Sequence, residues 1–462
     1  MVTMNPEILD KKTKETGKYV PLFEAFEKTE GKRGAAWIRK LRQNAFAHFC
    51  HSGFPTQREE DWRYTSVGPI ERTPFHLASE TLPHITVQAV ERLRPCTLNW
   101  NRLVFVNGFF CREFSHVSDA FEDLNIGSVR EAIVSKSNQL ASYLAQYVRY
   151  DQNGFTALNT AFIQDGAFVY VPEGKVLERP LELVFISTSR ETVSGTVLAQ
   201  PRNLIVVGPS SRATIVESYV SIDQETYCNN VVTEIILEES ASLEYLRLQK
   251  ESGRAYHVST TKVNQAKDSV FSSTCVDLGG ILVRNDLHVD LQEEGAKCFL
   301  NGLYLTSNEQ HVDNHTLINH PRPKGTSQQL YKGILDGRST AVFSGKIFVH
   351  QDAQKTDAHQ TNKNLLLSEE ATADTKPQLE IYADDVKCTH GAAVGQLDKD
   401  SLFYLKSRGI GENEARNILS YAFANEVAQR IKIPSIRAQL NDLLTERYGH
   451  RSAGEGVHHG SA

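Results

Sequence analysis

The sequence predicts a mainly β protein, a long strand-rich middle set between two helical ends. Three observations carry that expectation. From about Gly154 to Val394, short runs rich in Val, Ile, Leu, Phe and Tyr recur with turn residues between them and no long helical pattern. Before and after that stretch, apolar residues fall at helical spacing instead. The strand-rich stretch is also about 240 residues long, more than one sandwich needs and easily held by a stacked solenoid. Sandwich, barrel and solenoid all suit the spacing, and length favours the solenoid. No exact repeat is visible, and a solenoid needs none.

The elements follow in order. Ala35 to Phe49 places Ile38, Leu41, Ala45 and Phe49 on one helical stripe, and Gly53-Phe-Pro stops it. Leu103-Val-Phe-Val-Asn-Gly-Phe-Phe reads as a hairpin turning at Asn107-Gly108. A second helical pattern runs from Glu131 to Tyr150. Strands are expected at Ala167–Val171, Leu181–Ile186, Asn203–Val207, Val231–Leu237, Ser242–Leu248 and Lys346–His350, with turns such as Pro172-Glu-Gly, Gly208-Pro-Ser-Ser and Asp336-Gly between strands. After Val394 the period changes. Asp398 can cap a helix through Ser401–Arg408 that ends at Gly409. A longer helix from Glu412 to about Ile431 carries Ala415, Ile418, Leu419, Ala422, Phe423, Val427 and Ile431 on one stripe, and Pro434 opens a last one with Ile436, Leu440, Leu443 and Leu444. The units expected are 1–153, mainly helical; 154–395, the β core; 396–448, helical; and 449–462, a Gly/Ser/His-rich disordered tail.

Composition narrows the function classes. Hydrophobic residues make up 40% and charged residues 23% of 462, an ordinary water-soluble balance with enough chain for a sizeable core. The formal charge of -6 gives no general attraction to nucleic acid or to anionic lipid. The start mixes charges early and lacks the apolar region of a secretory signal, and no apolar run reaches the roughly 18–20 residues that span a bilayer. The expected location is cytoplasmic. Seven scattered cysteines, an odd number without any Cys-x-x-Cys, argue against a disulfide framework and a zinc knuckle and read mostly as small buried hydrophobes. No phosphate loop, dinucleotide fingerprint, His-Glu-x-x-His or Gly-x-Ser-x-Gly is present, and Gly345-Lys346 lacks both the upstream glycine and the hydroxyl residue.

Three constellations remain. His311, His315 and His320 lie close in sequence, but on a strand the first two share a face and the third points away, so local hydrogen bonding competes with a metal role. Asp374, Asp384 and Asp385 could pair as acid and base, although adjacent aspartates more often order turns. The most distinctive segment is Tyr382-Ala-Asp-Asp-Val-Lys-Cys-Thr-His-Gly. If it is extended, Cys388 and His390 project from one face about 6.6 Å apart, with Thr389 on the other. A thiolate and an imidazole suit iron, zinc or copper, and two side chains need further ligands from elsewhere to close a site. Lys387 beside the thiol is expected to favour the thiolate modestly. Cys-x-His alone leaves packing and ligation both open.

The string Gln378-Leu-Glu-Ile-Tyr-Ala-Asp-Asp-Val-Lys-Cys-Thr-His-Gly-Ala, with Leu402-Phe-Tyr-Leu-Lys-Ser-Arg-Gly-Ile after it, resembles the SufB/SufD family of the SUF iron–sulfur cluster assembly system. Ala341-Val-Phe-Ser-Gly-Lys-Ile-Phe-Val, Lys355 to Ser368 and the N-terminal Gly53-Phe-Pro-Thr-Gln-Arg-Glu-Glu-Asp-Trp-Arg-Tyr-Thr belong to the same resemblance. It is strongest from about Leu330 to Phe423. His390-Gly391, where the SufB branch typically has His-Glu, is similar to the SufD branch. The resemblance implies a right-handed parallel β-helix core flanked by N- and C-terminal helical regions, and a scaffold subunit without its own nucleotide site. It implies a homologous SufB-like partner and a SufC-like ABC-type ATPase docked on the C-terminal helices, with room for a homodimer of the isolated subunit. It further implies a nascent, transient iron–sulfur cluster at the subunit interface, with Cys388 and His390 as its metal- and cofactor-binding residues here. A flavin is linked to the family's complex, but nothing in this sequence marks a flavin site.

Overall fold

The structure is a computed structural model that describes residues 16–80, 85–93, 100–117, 124–188 and 196–448. The chain start, Cys96 and the tail from 449 onward lie outside the described residues. Two helices, α1 (Val20–Thr29) and α2 (Ala36–Ser52), open the fold. Ile38, Ala45 and Phe49 of α2 are buried as their spacing predicts. Leu41 is only half-buried, and the neighbouring Arg42 turns inward because its guanidinium meets Ile163 O at 3.1 and 2.7 Å. Gly53 then ends the helix at φ 65°. The hairpin forms between Asn101–Val106 and Phe109–Phe110, with Asn107 and Gly108 both at positive φ in its turn.

The helix expected from Glu131 to Tyr150 is instead two short ones, α3 (Val129–Ser135) and α4 (Ser137–Ala141), broken at Lys136. Further along, the N–H groups of Ala145, Tyr147 and Val148 donate to the Glu234 carboxylate, so backbone donors that a helix would pair are satisfied from outside. Helix α5 (Gly154–Ala161) follows, with a capping box between Asn153 and Thr156 and all eight residues buried.

Beyond a few shorter strands that begin it, the middle of the chain is a parallel β-solenoid of about seven turns. Its long strands are β1 (Arg212–Ser221), β2 (Tyr227–Leu237), β3 (Ser242–Lys250), β4 (Tyr256–Gln265), β5 (Val270–Asp277), β6 (Leu282–Leu291) and β7 (Lys297–Thr306). They continue as β8 (His311–His320), β9 (Thr326–Leu335), β10 (Thr340–Val349), β11 (Asp357–Leu366), β12 (Thr372–Ile381) and β13 (Lys387–Gly395). Odd strands build one sheet and even strands the other, each strand pairing in parallel with the strand one turn away. Ser210, Ser240, Asp268, Gly295, Lys324 and Lys355, about thirty residues apart, each turn a corner at positive φ and donate their N–H to a carbonyl one turn further on. The repeat is therefore one of backbone geometry. Serine, aspartate, glycine and lysine share the corner position, which is why no exact sequence repeat marks it.

Alternation decides which side chains fill the lumen. Leu243, Phe271, Cys298, Leu300, Val289, Ile318, Phe343 and Ile347 pack there. The outward residues of the odd sheet, among them Val216, Leu246, Val276, Leu303, Leu330 and Ile334, are covered by the C-terminal helices α6 (Lys399–Ser407), α7 (Glu412–Ala428) and α8 (Pro434–Tyr448). Asp398 caps α6 through Ser401 N at 2.7 Å. On α7 the buried stripe is Ala415, Ser420, Ala424, Val427 and Ala428, while Ala422 is exposed and Ile418, Leu419 and Phe423 are half-buried. Small residues face the sheet here because they let the helix lie close to a nearly flat surface. The N-terminal region packs on the outer face of the even sheet, where Phe155, Leu158 and Trp62 meet Cys228, Val258 and Leu282.

Candidate functional site

Among the described residues, the solenoid ends on two unpaired strand edges. β12 closes the even sheet and β13 the odd one, each hydrogen-bonded on one side only. Such edges offer free backbone donors and acceptors for pairing. Cys388 and His390 both sit on β13 with lumen-facing register, above Ala358 and Gln360 of β11. Cys388 is half-buried against the core, and His390 is exposed at the mouth. Thr389 faces outward, where its hydroxyl and His359 Nδ1 are 2.6 Å apart and His359 Nε2 lies 2.8 Å from Asp357 Oδ1.

The expected help from Lys387 does not reach the thiol, because alternation turns its side chain to the opposite face from Cys388. Burial pushes the Cys388 thiol above its ordinary value, Asp357 pushes it further, and the Ala358 backbone opposes them. Resting Cys388 is therefore a thiol, which would have to lose its proton to bind a metal.

The other candidates separate. His311 Nε2 and Thr65 Oγ1 are 2.8 Å apart on the outer face, His315 Nε2 is 3.1 Å from Asp313 Oδ1, and His320 Nε2 meets Ser327 Oγ at 2.9 Å in the lumen. Each imidazole has a local partner, and the three do not converge. Among the described residues no group of three or more His, Cys, Asp or Glu side chains is placed to hold a metal ion. Asp384 and Asp385 form the turn between β12 and β13, with Asp385 paired to Lys355. Asp374 faces a separate outer cavity of about 220 Å³ shared with His315, Lys346 and Glu380. The three aspartates make no acid–base pair.

Two comparisons bear on this arrangement. Residues 185–423 match the family model described as SUF system FeS cluster assembly, SufBD core domain, and residues 13–183 match the SufBD protein N-terminal region. The chain belongs to the SufBD family. It is 37% identical to an iron–sulfur cluster assembly SufBD family protein of Synechocystis over 85% of this chain and 87% of the relative. It is 32% identical to the iron–sulfur cluster assembly protein SufD of Escherichia coli over 88% and 92% of the two chains. A chloroplastic protein of Arabidopsis thaliana is 30% identical over 88% of this chain and 85% of that one. As a SufBD family member, the chain takes part in iron–sulfur cluster assembly. The two matches meet inside the strand Leu181–Ser187, so the whole open end, with Cys388 and His390, falls within the SufBD core, and α8 lies beyond it.

Two polar clusters of this SufBD chain escaped the sequence. In the lumen, Arg247 donates to Cys275 Sγ at 2.6 Å, to Asp277 Oδ1 at 2.9 Å and to Asn285 Oδ1 at 2.6 Å. Burial pushes the Cys275 thiol up to about 12 against the pull of Arg247. On the outer face, Arg284 stacks over Trp62 at 4.3 Å, donates to Asp61 O at 2.8 Å and joins Asp286 and Asp313. The arm from Gly53 to Thr65 is thus clamped across the even sheet, and the Arg284 guanidinium holds the Asp313 carboxyl well below the usual carboxylate range despite burial. Polar residues alternating along a strand, as in Arg247-Leu-Gln, give no sign of which face is the lumen.

Proposed function

We propose that this chain is the non-ATPase scaffold subunit of a SUF complex. Its open end would meet the corresponding end of a homologous SufB subunit, and the nascent cluster would form between them as cargo. The observation that carries this is the pairing of a soft and a borderline donor at the mouth of a solenoid whose two final edges are unpaired among the described residues. Tyr382, 60% exposed beside the mouth, offers apolar contact to such a partner. Two donors leave an iron site open, so a second chain must complete it, and few protein ligands suit a cluster that later leaves.

The helical unit 396–448 would dock the SufC ATPase. None of the residues of α6 is buried, and Phe403 and Tyr404 stand 74% and 57% exposed on it. The units 1–153 and 154–395 would then serve as clamp and platform. The chain itself carries no phosphate-cradling motif, so ATP would act from the partner, moving the interface through α6 and α7.

The test is a Cys388→Ser, His390→Ala double substitution in the complete complex. Assembly should be normal, because neither side chain is deeply buried, while iron and acid-labile sulfide in the purified complex fall. Wild-type cluster content in a correctly assembled double variant would leave only a structural adapter.

A further inference from the structure

One column of lumen side chains changes character just beneath the mouth. Leu300, Gln329, Gln360 and His390 lie in direct register on β7, β9, β11 and β13. Gln360 is 1% exposed. Its Nε2 donates to Gln329 Oε1 at 2.9 Å, and Gln329 Nε2 donates to Thr316 Oγ1 at 2.7 Å. Both amide groups thus direct their N–H donors into the barrel. Gly345 on the facing wall leaves room for this, since a Cβ there would stand 2.0 Å from Gln360 Nε2. The consequence, among the described residues, is a buried Gln360 Oε1 with no hydrogen-bond partner. Buried acceptors are nearly always paired. The next side chain in the column is His390, one strand spacing of about 4.8 Å away.

We propose that Gln360 is the positioning residue of His390: its Oε1 accepts the N–H of one imidazole nitrogen, fixes the tautomer and aims the other nitrogen's lone pair out of the mouth. An exposed ring reaches this bond by rotation of its own side chain, without backbone movement. A ligating imidazole ordinarily donates its second nitrogen to such a partner, which orients the ring and raises its basicity. The inference rests on His390 being a ligand. It extends that role inward, to a residue the candidate motif does not contain.

The experiment uses the full chain, free of iron, with ¹⁵N-labelled histidine, and reads the His390 tautomer from ring ¹H–¹⁵N correlations assigned with His390→Gln. One tautomer should dominate in the native chain. Gln360→Leu should shift the tautomer ratio by about three- to tenfold, the range an ordinary net hydrogen bond supplies. Gln360→Glu, read at a pH where the introduced carboxyl is ionised and can only accept, should keep the native tautomer. If Gln360→Leu misfolds, Gln360→Met, closer in shape, gives the same reading. An unchanged ratio on losing the amide, or the opposite tautomer in Gln360→Glu, overturns the proposal. Iron content of complexes carrying His390→Ala separates the two ideas. Normal iron with a Gln360-dependent tautomer would remove the ligand role and leave the positioning. Lost iron with a Gln360-independent tautomer would do the reverse.

Discussion

Replacing Glu234 should loosen the N-terminal clamp more than any comparable surface change. Glu234 projects from the outer face of β2, and both it and Arg202 are fully buried. Its carboxylate accepts from Ala145 N at 2.8 Å, Tyr147 N at 3.0 Å and Val148 N at 3.1 Å, and from Arg202 Nε and a terminal nitrogen at 3.1 and 2.6 Å. Glu234→Ala orphans three backbone donors and leaves a buried guanidinium without its counter-charge, a loss of about 3–5 kcal/mol. Arg202→Met leaves the carboxylate three backbone donors but no cation. The double variant removes both charges together, so it should cost less than the sum of the singles by at least about 2 kcal/mol. Native-state hydrogen exchange at Ala145, Tyr147 and Val148, alongside urea unfolding, measures these quantities. Additive costs, or a Glu234→Ala penalty below about 1 kcal/mol, would refute the clamp.

Three further outcomes follow from the lumen and its mouth. Burial holds the His320 imidazole down at about 4, while the unfolded chain titrates near 6.5. Stability from this group is complete above pH 6.5 and falls as pH drops toward 4, by about 3 kcal/mol in all. His320→Leu should flatten that part of the pH dependence of urea midpoints, and an unchanged slope would contradict it. Asp357→Asn should speed alkylation of Cys388 at neutral pH, because it removes an anion that raises the thiol's value. Cys111, Cys228, Cys275 and Cys298, all buried, should stay unlabelled until denaturant is added, as mass spectrometry of the labelled peptides would show.

The candidate site was legible to a definite depth. Cys388 and His390 share a face because a strand has period two, and that follows from any extended reading of the segment. What they face is another matter. The same alternation would have suited an outer surface, and Lys387 looked like an ally of the thiol until strand register turned it away and brought Asp357 close. Gln360 carries no motif, and its significance comes from lying one turn below His390 and opposite Gly345. The second helix went wrong for a related reason. Residues 131–150 have helical periodicity, but a carboxylate from Glu234, far along the chain, takes the backbone donors that the helix would have used.

By itself the sequence determined the local periods: short strands punctuated by turns, amphipathic ends, the hairpin at Asn107-Gly108, the cap at Asp398 and the stop at Gly409. These depend on residues within a turn or two of one another, where backbone sterics and side-chain spacing suffice. Only the tertiary structure decided the rest. Stacking in register, turn upon turn, chose which face of each strand became lumen, gathered Arg247, Cys275 and Asp277 from neighbouring turns, and brought Trp62 onto Arg284. Among the described residues it also left β12 and β13 paired on one edge only, so that Cys388 and His390 stand at an open end. The physical reason is that a solenoid's contacts join residues about thirty positions apart through identical backbone geometry. Side chains of many kinds fit the same corner and the same column, and single-residue preferences therefore say little about which of them will meet.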